Sequence, residues 1–258
     1  MRRRPNPGAR FVSKGLVVLY EDKDILVVDK PAGLLTVATE REKSRTAHSL
    51  LTDYIRKGCG RSQKRAFVVH RLDRETSGVL IFAKSEEAML RLKDQWKQTE
   101  KKYLAVVHGK CEKSSETITT YLAEDNAYNV YSTTDSTKGR LSQTVYKVLR
   151  VTKGLSLLEV VLLTGRKNQI RVHLAGIGHP IVGDTKYGSE DDSQPRMALH
   201  ARLISFRHPF SGERLTFESE VPAFFASLVG RIDGQDDTAG PSKAHKNLPR
   251  SDKAVKKG

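Results

Sequence analysis

The feature that most constrains the fold is a succession of short runs of apolar and β-branched residues, each ended by a polar or glycine-containing turn. Residues 16–20 and 25–29 flank an acidic turn, a pattern typical of a β-hairpin. Residues 199–206 and 215–218 repeat this arrangement around a second turn. Further runs of this kind occupy residues 67–69, 79–83, 101–109, 142–150 and 155–163. The last of them is nearly all apolar, which favours a central position in a sheet.

Helical spacing of apolar residues is confined to a few segments. It is found in residues 46–57, 170–177 and 222–229. Ser85 followed by two glutamates indicates a further helix start, because the hydroxyl caps free N–H groups and carboxylates suit the helix dipole there. Since strands outnumber helices and mostly join as hairpins, we predict an α+β fold: a mixed, largely antiparallel β-sheet with flanking helices.

The net charge of +15 is concentrated at the two ends of the 258-residue chain. Residues 1–14 hold five cations and no acid, and residues 231–258 hold seven cations and four acids. Both ends lack apolar periodicity, which is typical of disordered segments. We therefore predict a basic disordered arm at 1–14, one folded domain at 15–230 and a basic disordered tail at 231–258. The charge indicates nucleic acid as partner; the alternative is that it serves solubility.

Several classes of protein are excluded by what the sequence lacks. No apolar run approaches the roughly 20 residues of a membrane span. The basic N-terminus is not followed by the apolar stretch of a secretory signal. Cys59 and Cys111 form no CxxC pair, which suits a reducing compartment. We expect a cytoplasmic monomer without a membrane partner. Because no metal-ligand spacing and no nucleotide-binding loop occurs, we predict no metal and no cofactor.

The first candidate for chemistry is the polar segment at residues 70–78, where two cations flank Asp73. A carboxylate beside positive charges stays ionised at neutral pH, and an ionised aspartate can act as nucleophile or base. The alternative is a structural turn in which Asp73 bonds to its local backbone. The physical argument alone leaves both interpretations open.

A second candidate lies at residues 164–173, where Gly165 allows a sharp turn into a helix. Backbone N–H groups at the helix start, together with Arg166 and Lys167, attract phosphate. Arg171 can pair with a carboxylate. The alternative is a basic, solvated helix start. Tyr103, in the strand at residues 101–109, faces either a site or the core.

Six motifs in the right order make the chain resemble the RluA family of pseudouridine synthases. The central one, His70-Arg71-Leu72-Asp73 with Thr76-Ser77-Gly78, resembles the family's HRLDxxTSG. The resemblance runs from about residue 16 to residue 225. The matching segments are residues 30–35, 70–78, 102–105, 139–146, 165–173 and 179–188.

The resemblance implies the pseudouridine synthase fold and a covalent isomerisation of uridine in RNA. Asp73 is then the catalytic carboxylate. It attacks either the ribose or the uracil ring, and the resemblance leaves both routes open. Arg171 holds Asp73 ionised and oriented, and Tyr103 stacks on the uracil and assists a late proton transfer. Base flipping precedes chemistry on a base. The RNA-binding residues implied are Arg71, Arg74, Arg166, Lys167 and Asn168.

Two departures from the family pattern stand out. Asn168 replaces the usual histidine, so this position cannot act as an acid, although activity is expected to survive. Because only a short segment precedes the first strand, we expect the chain to lack the helical RNA-binding module that some members carry. Large-subunit rRNA is the expected target, and tRNA is the alternative. A non-catalytic RNA-binding assembly factor is less favoured because Asp73 and Arg171 are both present. A glycoside hydrolase needs a second carboxylate, and Glu75 is the nearest acid.

Overall fold

The computed structural model describes residues 10–40, 42, 45–57, 59–188, 192 and 194–232. Within these residues the strands are β1 (Arg10–Ser13), β2 (Leu16–Glu21), β3 (Ile25–Lys30), β4 (Phe67–Val68), β5 (Ser77–Ala83), β6 (Glu100–His108), β7 (Ser115–Glu124), β8 (Val130–Thr133), β9 (Arg140–Thr152), β10 (Leu155–Leu162), β11 (Leu199–Arg207) and β12 (Arg214–Glu218). The α-helices are α1 (Ala47–Arg56), α2 (Glu86–Asp94), α3 (Gln169–Gly176) and α4 (Ala223–Val229).

The strands form one sheet in the order β1-β2-β3-β5-β11-β6-β10-β9-β7-β8, with β4 added to β5 and β12 added to β11. Every pairing in the described residues is antiparallel except the short contact between β5 and β11. This confirms the predicted mixed, largely antiparallel sheet with flanking helices. The predicted central position of β10 is also confirmed, since it lies between β6 and β9.

Strand β5 is the centre of the core and leads directly out of the polar segment that contains Asp73. All seven of its residues are buried. Side chains alternate across a strand, so Leu80 and Phe82 pack in one apolar cluster while Val79 and Ile81 pack in another on the opposite face. Helix α1 covers the first cluster and α2 covers the second. The polar segment is therefore attached to the most deeply buried strand.

The folded part of the chain extends past both predicted domain bounds, residues 15 and 230. Residues 10–13, predicted as part of the disordered arm, form β1 and pair with β2. Lys14 and Gly15 both have positive φ, 49° and 75°, which suits a two-residue hairpin turn. At the other end Ile232 is buried, so the folded part extends beyond residue 230. Residues 1–9 and 233–258 lie outside the described residues.

The mostly polar residues 115–133 form the β7–β8 hairpin. Trp96 lies in a 3-10 turn, Gln95–Gln98, directly after α2. Among the described residues, no helix combines the length and the apolar character that crossing a membrane requires.

Candidate active site

The loop at residues 70–76 joins β4 to β5 and carries Asp73 at its tip. Thr36 fixes the residue before it: its hydroxyl donates to the Leu72 carbonyl at 2.7 Å and accepts from the Leu72 N–H at 3.2 Å. The Asp73 carbonyl accepts from the N–H of Thr76 at 3.2 Å, which closes a turn. These bonds hold the backbone on both sides of Asp73, so its side chain projects from a rigid frame.

Lys30 is a buried cation directly beneath this loop. Its Nζ donates to three backbone carbonyls, those of Pro31 at 2.9 Å, Leu34 at 2.7 Å and Arg74 at 3.0 Å. Burial lowers the pKa of Lys30 to about 7, against the opposing charges of Glu75 and Asp73. The Lys30 side chain thus ties the turn after β3 to the residue following Asp73.

Helix α3 supplies the residue that meets Asp73. Its first residue, Gln169, is buried, and all its amide hydrogen-bonding groups are used. The Gln169 Oε1 accepts from Thr164 Oγ1 and from the Arg166 N–H, and its Nε2 donates to the Gln143 carbonyl and to Thr144 Oγ1. This amide fastens the start of α3 to β9, which fixes the direction in which Arg171 leaves the helix.

Arg171 contacts two carboxylates. Its Nε and Nη2 donate to the two oxygens of Asp184, each at 2.7 Å, and its Nη1 donates to Asp73 Oδ2 at 3.3 Å. The ring of Tyr187 lies 5.0 Å from the guanidinium. The structure therefore brings together Asp73 and Arg171, which are 98 residues apart in sequence.

The electrostatics of this pair follow from burial and charge. The Arg171 side chain is 11% exposed and that of Asp73 is 31% exposed. Burial alone would lower the pKa of Arg171, but the hydrogen bonds and charges of Asp184 and Asp73 raise it. A permanently charged guanidinium therefore faces a half-buried carboxylate that remains reachable from solvent.

Tyr103 lies on β6 beside this pair and is 8% exposed. Burial, followed by the negative charge of Asp73, raises the pKa of Tyr103 well above its usual range. Its phenol therefore stays protonated, and the ring offers a flat apolar face next to the carboxylate.

All eight residues predicted for the site line one cleft of about 740 Å³. They are Asp73, Arg171, Tyr103, Arg71, Arg74, Arg166, Lys167 and Asn168. The cleft also contains Lys93, Trp96 and Lys101, to which the sequence assigned no such position. Trp96, in the 3-10 turn after α2, is partly buried against the core, and only the fold shows that this turn lies at the cleft.

The predicted RNA-binding cations differ in whether they already form an ion pair with a carboxylate. Arg71 and Arg166 are exposed. Arg74 forms an ion pair with Glu42, and Lys167 forms one with Glu124 and donates to the Tyr128 carbonyl at 3.1 Å. Arg74 and Lys167 must therefore exchange a carboxylate for any phosphate they bind.

His70, the first residue of the central motif, has a structural role. Its Nε2 accepts from the N–H of Ile81 at 3.1 Å, and its ring lies 4.6 Å from that of Trp96. Burial, helped by the charge of Lys101, lowers the pKa of His70 to about 3. A neutral imidazole with one nitrogen bonded to the backbone locks the base of the Asp73 loop onto β5.

One group of side chains has the composition of a metal site, Asp22, Asp24 and His208. However, His208 Nδ1 accepts from the N–H groups of Phe210 and Ser211, so in the neutral ring the proton sits on Nε2. Nε2 then donates to Asp22 Oδ2 at 3.0 Å. The nitrogen that a metal would need is used as a donor, so these residues fit a hydrogen-bonded contact between two hairpins better than a metal site.

Comparison with known proteins identifies the family. A family model described as RNA pseudouridylate synthase matches residues 24–176, a span that contains Asp73, Tyr103 and Arg171. The chain is 37% identical to ribosomal large subunit pseudouridine synthase D of Nitrosomonas europaea, over 92% of this chain and 67% of that protein. It is 36% identical to an uncharacterized RNA pseudouridine synthase of Bacillus subtilis, over 84% of this chain and 73% of the relative.

Solved structures agree with this result. The fold is similar to that of human RNA pseudouridylate synthase domain containing 1, with a TM-score of 0.65, 27% identity, and coverage of 83% of this chain and 86% of that one. Human RNA pseudouridylate synthase domain containing 4 shares the fold with a TM-score of 0.67 at 24% identity, over 81% of this chain and 90% of that one. The chain belongs to the RNA pseudouridylate synthase family, the family that its six motifs resemble.

Proposed function

We propose that this enzyme isomerises a uridine of structured RNA, in the first place large-subunit rRNA, with Asp73 as the nucleophile. The observation that carries the proposal is the contact between Asp73 and Arg171 at 3.3 Å inside a cleft that Tyr103 also lines. An ionised carboxylate, held by a cation and open to solvent on one side, has what covalent catalysis requires.

The reaction balances without an added reactant. The Asp73 carboxylate forms a bond to the ribose anomeric carbon or to the uracil ring, and the glycosidic bond from ribose to N1 breaks. The freed uracil rotates, and its C5 bonds to the anomeric carbon as Asp73 leaves. The proton on C5 is then lost, and N1 carries a proton in the product. The chain therefore needs only to hold the carboxylate, the loose base and the ribose in place.

Tyr103 and the cations supply that positioning. The neutral phenol ring of Tyr103 is suited to stack on the flipped uracil, because it is buried and lies beside Asp73. Its raised pKa favours stacking over a role as a base, since a base would have to be a phenolate. Arg71 and Arg166 are exposed at the cleft and suit phosphate contacts or the space that the flipped nucleotide vacates.

The lining of the cleft disfavours a glycoside hydrolase. Among the described lining residues Asp73 is the only carboxylate, whereas glycoside hydrolysis normally uses two. The nearby acid Glu75 is exposed and does not line the cleft. A non-catalytic RNA-binding role would not require Asp184 to orient Arg171 toward Asp73, and this favours the catalytic interpretation.

The test is to incubate the protein with large-subunit rRNA transcribed in vitro and labelled with tritium at C5 of uridine. The wild type and a Glu75→Gln variant are expected to release tritium, because C5 loses its hydrogen when it bonds to ribose. Asp73→Asn is expected to release none while still binding the RNA. Tritium release by Asp73→Asn at the wild-type rate would refute Asp73 as the nucleophile. Release from tRNA but not from rRNA would transfer the target to tRNA.

A further inference from the structure

A strongly basic loop lies outside the cleft that holds Asp73. It consists of residues 59–65, which contain Arg61, Lys64 and Arg65 and no acid, and Lys57 stands at the end of α1 just before it. We call Lys57 together with residues 59–65 the basic loop. The reaction proposed above uses none of these residues.

The cations of the basic loop lack internal counterions. Among the described residues, none of Lys57, Arg61, Lys64 and Arg65 forms an ion pair with a carboxylate, and all four are exposed. Elsewhere in the described chain many cations are paired, as in Lys84 with Glu21, Lys113 with Glu116 and Arg214 with Glu100. Four unpaired positive charges in one short segment are poorly explained by solubility alone.

The loop is held in a defined shape. Arg56 Nε donates to the Lys64 carbonyl at 3.0 Å, and the N–H of Ser62 donates to the Cys59 carbonyl at 3.0 Å. The guanidinium of Arg65 lies 4.7 Å from the centre of the Phe67 ring. A fixed backbone and a stacked guanidinium reduce the entropy that is lost when a ligand binds. The positive charges of the loop are therefore already held in position for an anion.

The position of the loop connects two clefts. Lys57 and Lys64 line a second cleft of about 790 Å³, which Lys23 also lines. Its carboxylates already have partners: Glu21 accepts from Lys84 and Tyr54, and Asp22 accepts from Tyr20. Lys84 is thus used by Glu21, whereas Lys23, Lys57 and Lys64 remain available to an anion.

On its other side, the loop leads into β4, whose residue Val68 lines the first cleft. Arg65 is three residues before Val68, which lines the cleft of Asp73. At ~3.3 Å per residue of extended chain this separation is on the order of 10 Å. Cations that follow one another at such short distances between two clefts are better suited to one continuous polyanion than to separate small ligands.

We propose that the basic loop and the second cleft bind the phosphodiester backbone of the substrate RNA beyond the target uridine. This rests on the proposed function, because the strand that occupies the first cleft is the one that continues over the loop. Binding along this path is electrostatic, releases counterions and positions the RNA without reading its bases.

The test compares two variants that each remove three positive charges. The first carries Arg61→Gln, Lys64→Gln and Arg65→Gln. The control carries Lys110→Gln, Lys147→Gln and Lys153→Gln, three exposed lysines that line neither cleft. The Kd for unmodified large-subunit rRNA transcribed in vitro is measured across a range of salt concentrations. Circular dichroism checks that both variants are folded.

For the first variant we expect the slope of log Kd against log salt concentration to fall by about 2, since each lost phosphate contact removes about 0.7–0.9. The slope of the control should differ from the wild-type slope by no more than about 0.4, which is half the change expected for one lost phosphate contact. Equal slopes for the two variants would overturn the proposal, because only net charge would then matter.

Tritium release by the wild type, measured on the same RNA, separates this inference from the proposed function. If the wild type releases tritium and the slope of the first variant is unchanged, only the RNA-binding role of the basic loop is refuted. A reduced slope in the first variant without any wild-type release would refute large-subunit rRNA as the substrate of the proposed reaction and leave the RNA-binding surface standing.

Discussion

Arg171 and Asp184 form a bidentate ion pair in which Nε and Nη2 each lie 2.7 Å from one carboxylate oxygen. The Asp184 side chain is 1% exposed, and it also accepts from the N–H groups of Lys186 and Tyr187. Burial would raise the pKa of Asp184, but these hydrogen bonds and the charge of Arg171 hold it below its usual range. Because two arms of the guanidinium are fixed in this way, Nη1 is directed at Asp73.

The first prediction is that Asp184→Asn damages both stability and activity. The change leaves the buried Arg171 without its charged partner, and breaking a buried pair costs about 3 kcal/mol or more of unfolding free energy. Misplacement of Nη1 should lower tritium release roughly 100-fold. Urea unfolding and the release assay measure the two effects. Asp135→Asn, an aspartate outside the cleft that also accepts a backbone N–H, is the control. Wild-type behaviour of Asp184→Asn would show that Arg171 needs no second carboxylate.

The second prediction concerns Gly78, where β5 pairs with β11. Its φ is +112°, and a Cβ added there would lie 2.2 Å from the Ala201 carbonyl oxygen. Gly78→Ala must therefore separate the strands directly behind the Asp73 loop, and we expect a loss of about 3 kcal/mol or more of unfolding free energy. Gly176→Ala is the matched control, because nothing lies within 4 Å of its added Cβ. Equal unfolding midpoints for the two variants would contradict this account.

Strands in which apolar residues alternate with polar ones, or follow one another without a break, were predictable because that pattern lies within the strand itself. The β7–β8 hairpin was not, because its exposed face is polar and β7 pairs with residues of β9 that lie 18 to 32 positions further along the chain. Strand β1 was hidden because Phe11 and Val12 are its only apolar residues and lie between Arg10 and Ser13-Lys14. The signal that was available is Gly15, because glycine readily adopts the positive φ that a two-residue hairpin turn requires.

In the site, the motifs identified the predicted residues and also contain the supporting Lys30 and Asp184, but they did not show what these two contact. The pairing of Asp73 with Arg171 followed from the resemblance and is present in the structure. The role of Lys30 was not predictable, because a lysine normally indicates solvent exposure. Its carbonyl partner in Arg74 is 44 residues away, and no local pattern encodes such a contact.

The third prediction is a pH dependence of stability that arises from Lys30. Burial lowers the pKa of Lys30 to about 7 in the folded chain, from 10.5. Between these two pH values the unfolded chain binds a proton that the folded chain has released, so the free energy of unfolding rises with pH. The slope is at most about 1.4 kcal/mol per pH unit, and it vanishes below the folded pKa.

Lys30→Met removes this contribution. As the pH rises above about 7, the free energy of unfolding of the wild type should therefore increase relative to that of the variant. Urea unfolding of both proteins across this range measures the gap. Lys23→Met, which removes an exposed lysine from the neighbouring turn, should run parallel to the wild type. Parallel curves for Lys30→Met as well would mean that Lys30 has the same pKa in the folded and unfolded chains.

The fourth prediction explains how Asn168 serves where the family usually has histidine. Asn168 has a φ of +53°, a left-handed conformation that asparagine and histidine adopt more readily than most residues. Its Nδ2 donates to the Tyr187 hydroxyl at 3.1 Å, and the Tyr187 ring packs against Arg171. Asn168 therefore supports the Asp73 pair through Tyr187, which needs a donor and a tolerated φ but no acid.

Asn168→His keeps both properties, so its tritium release should stay close to that of the wild type. Asn168→Val loses the donor and places a β-branched residue in the left-handed region, which costs roughly 1–2 kcal/mol of unfolding free energy. We expect its tritium release to fall because Tyr187 and Arg171 lose their alignment. If Asn168→His were as impaired as Asn168→Val, the shape of the amide rather than its donor would be the property that this position requires.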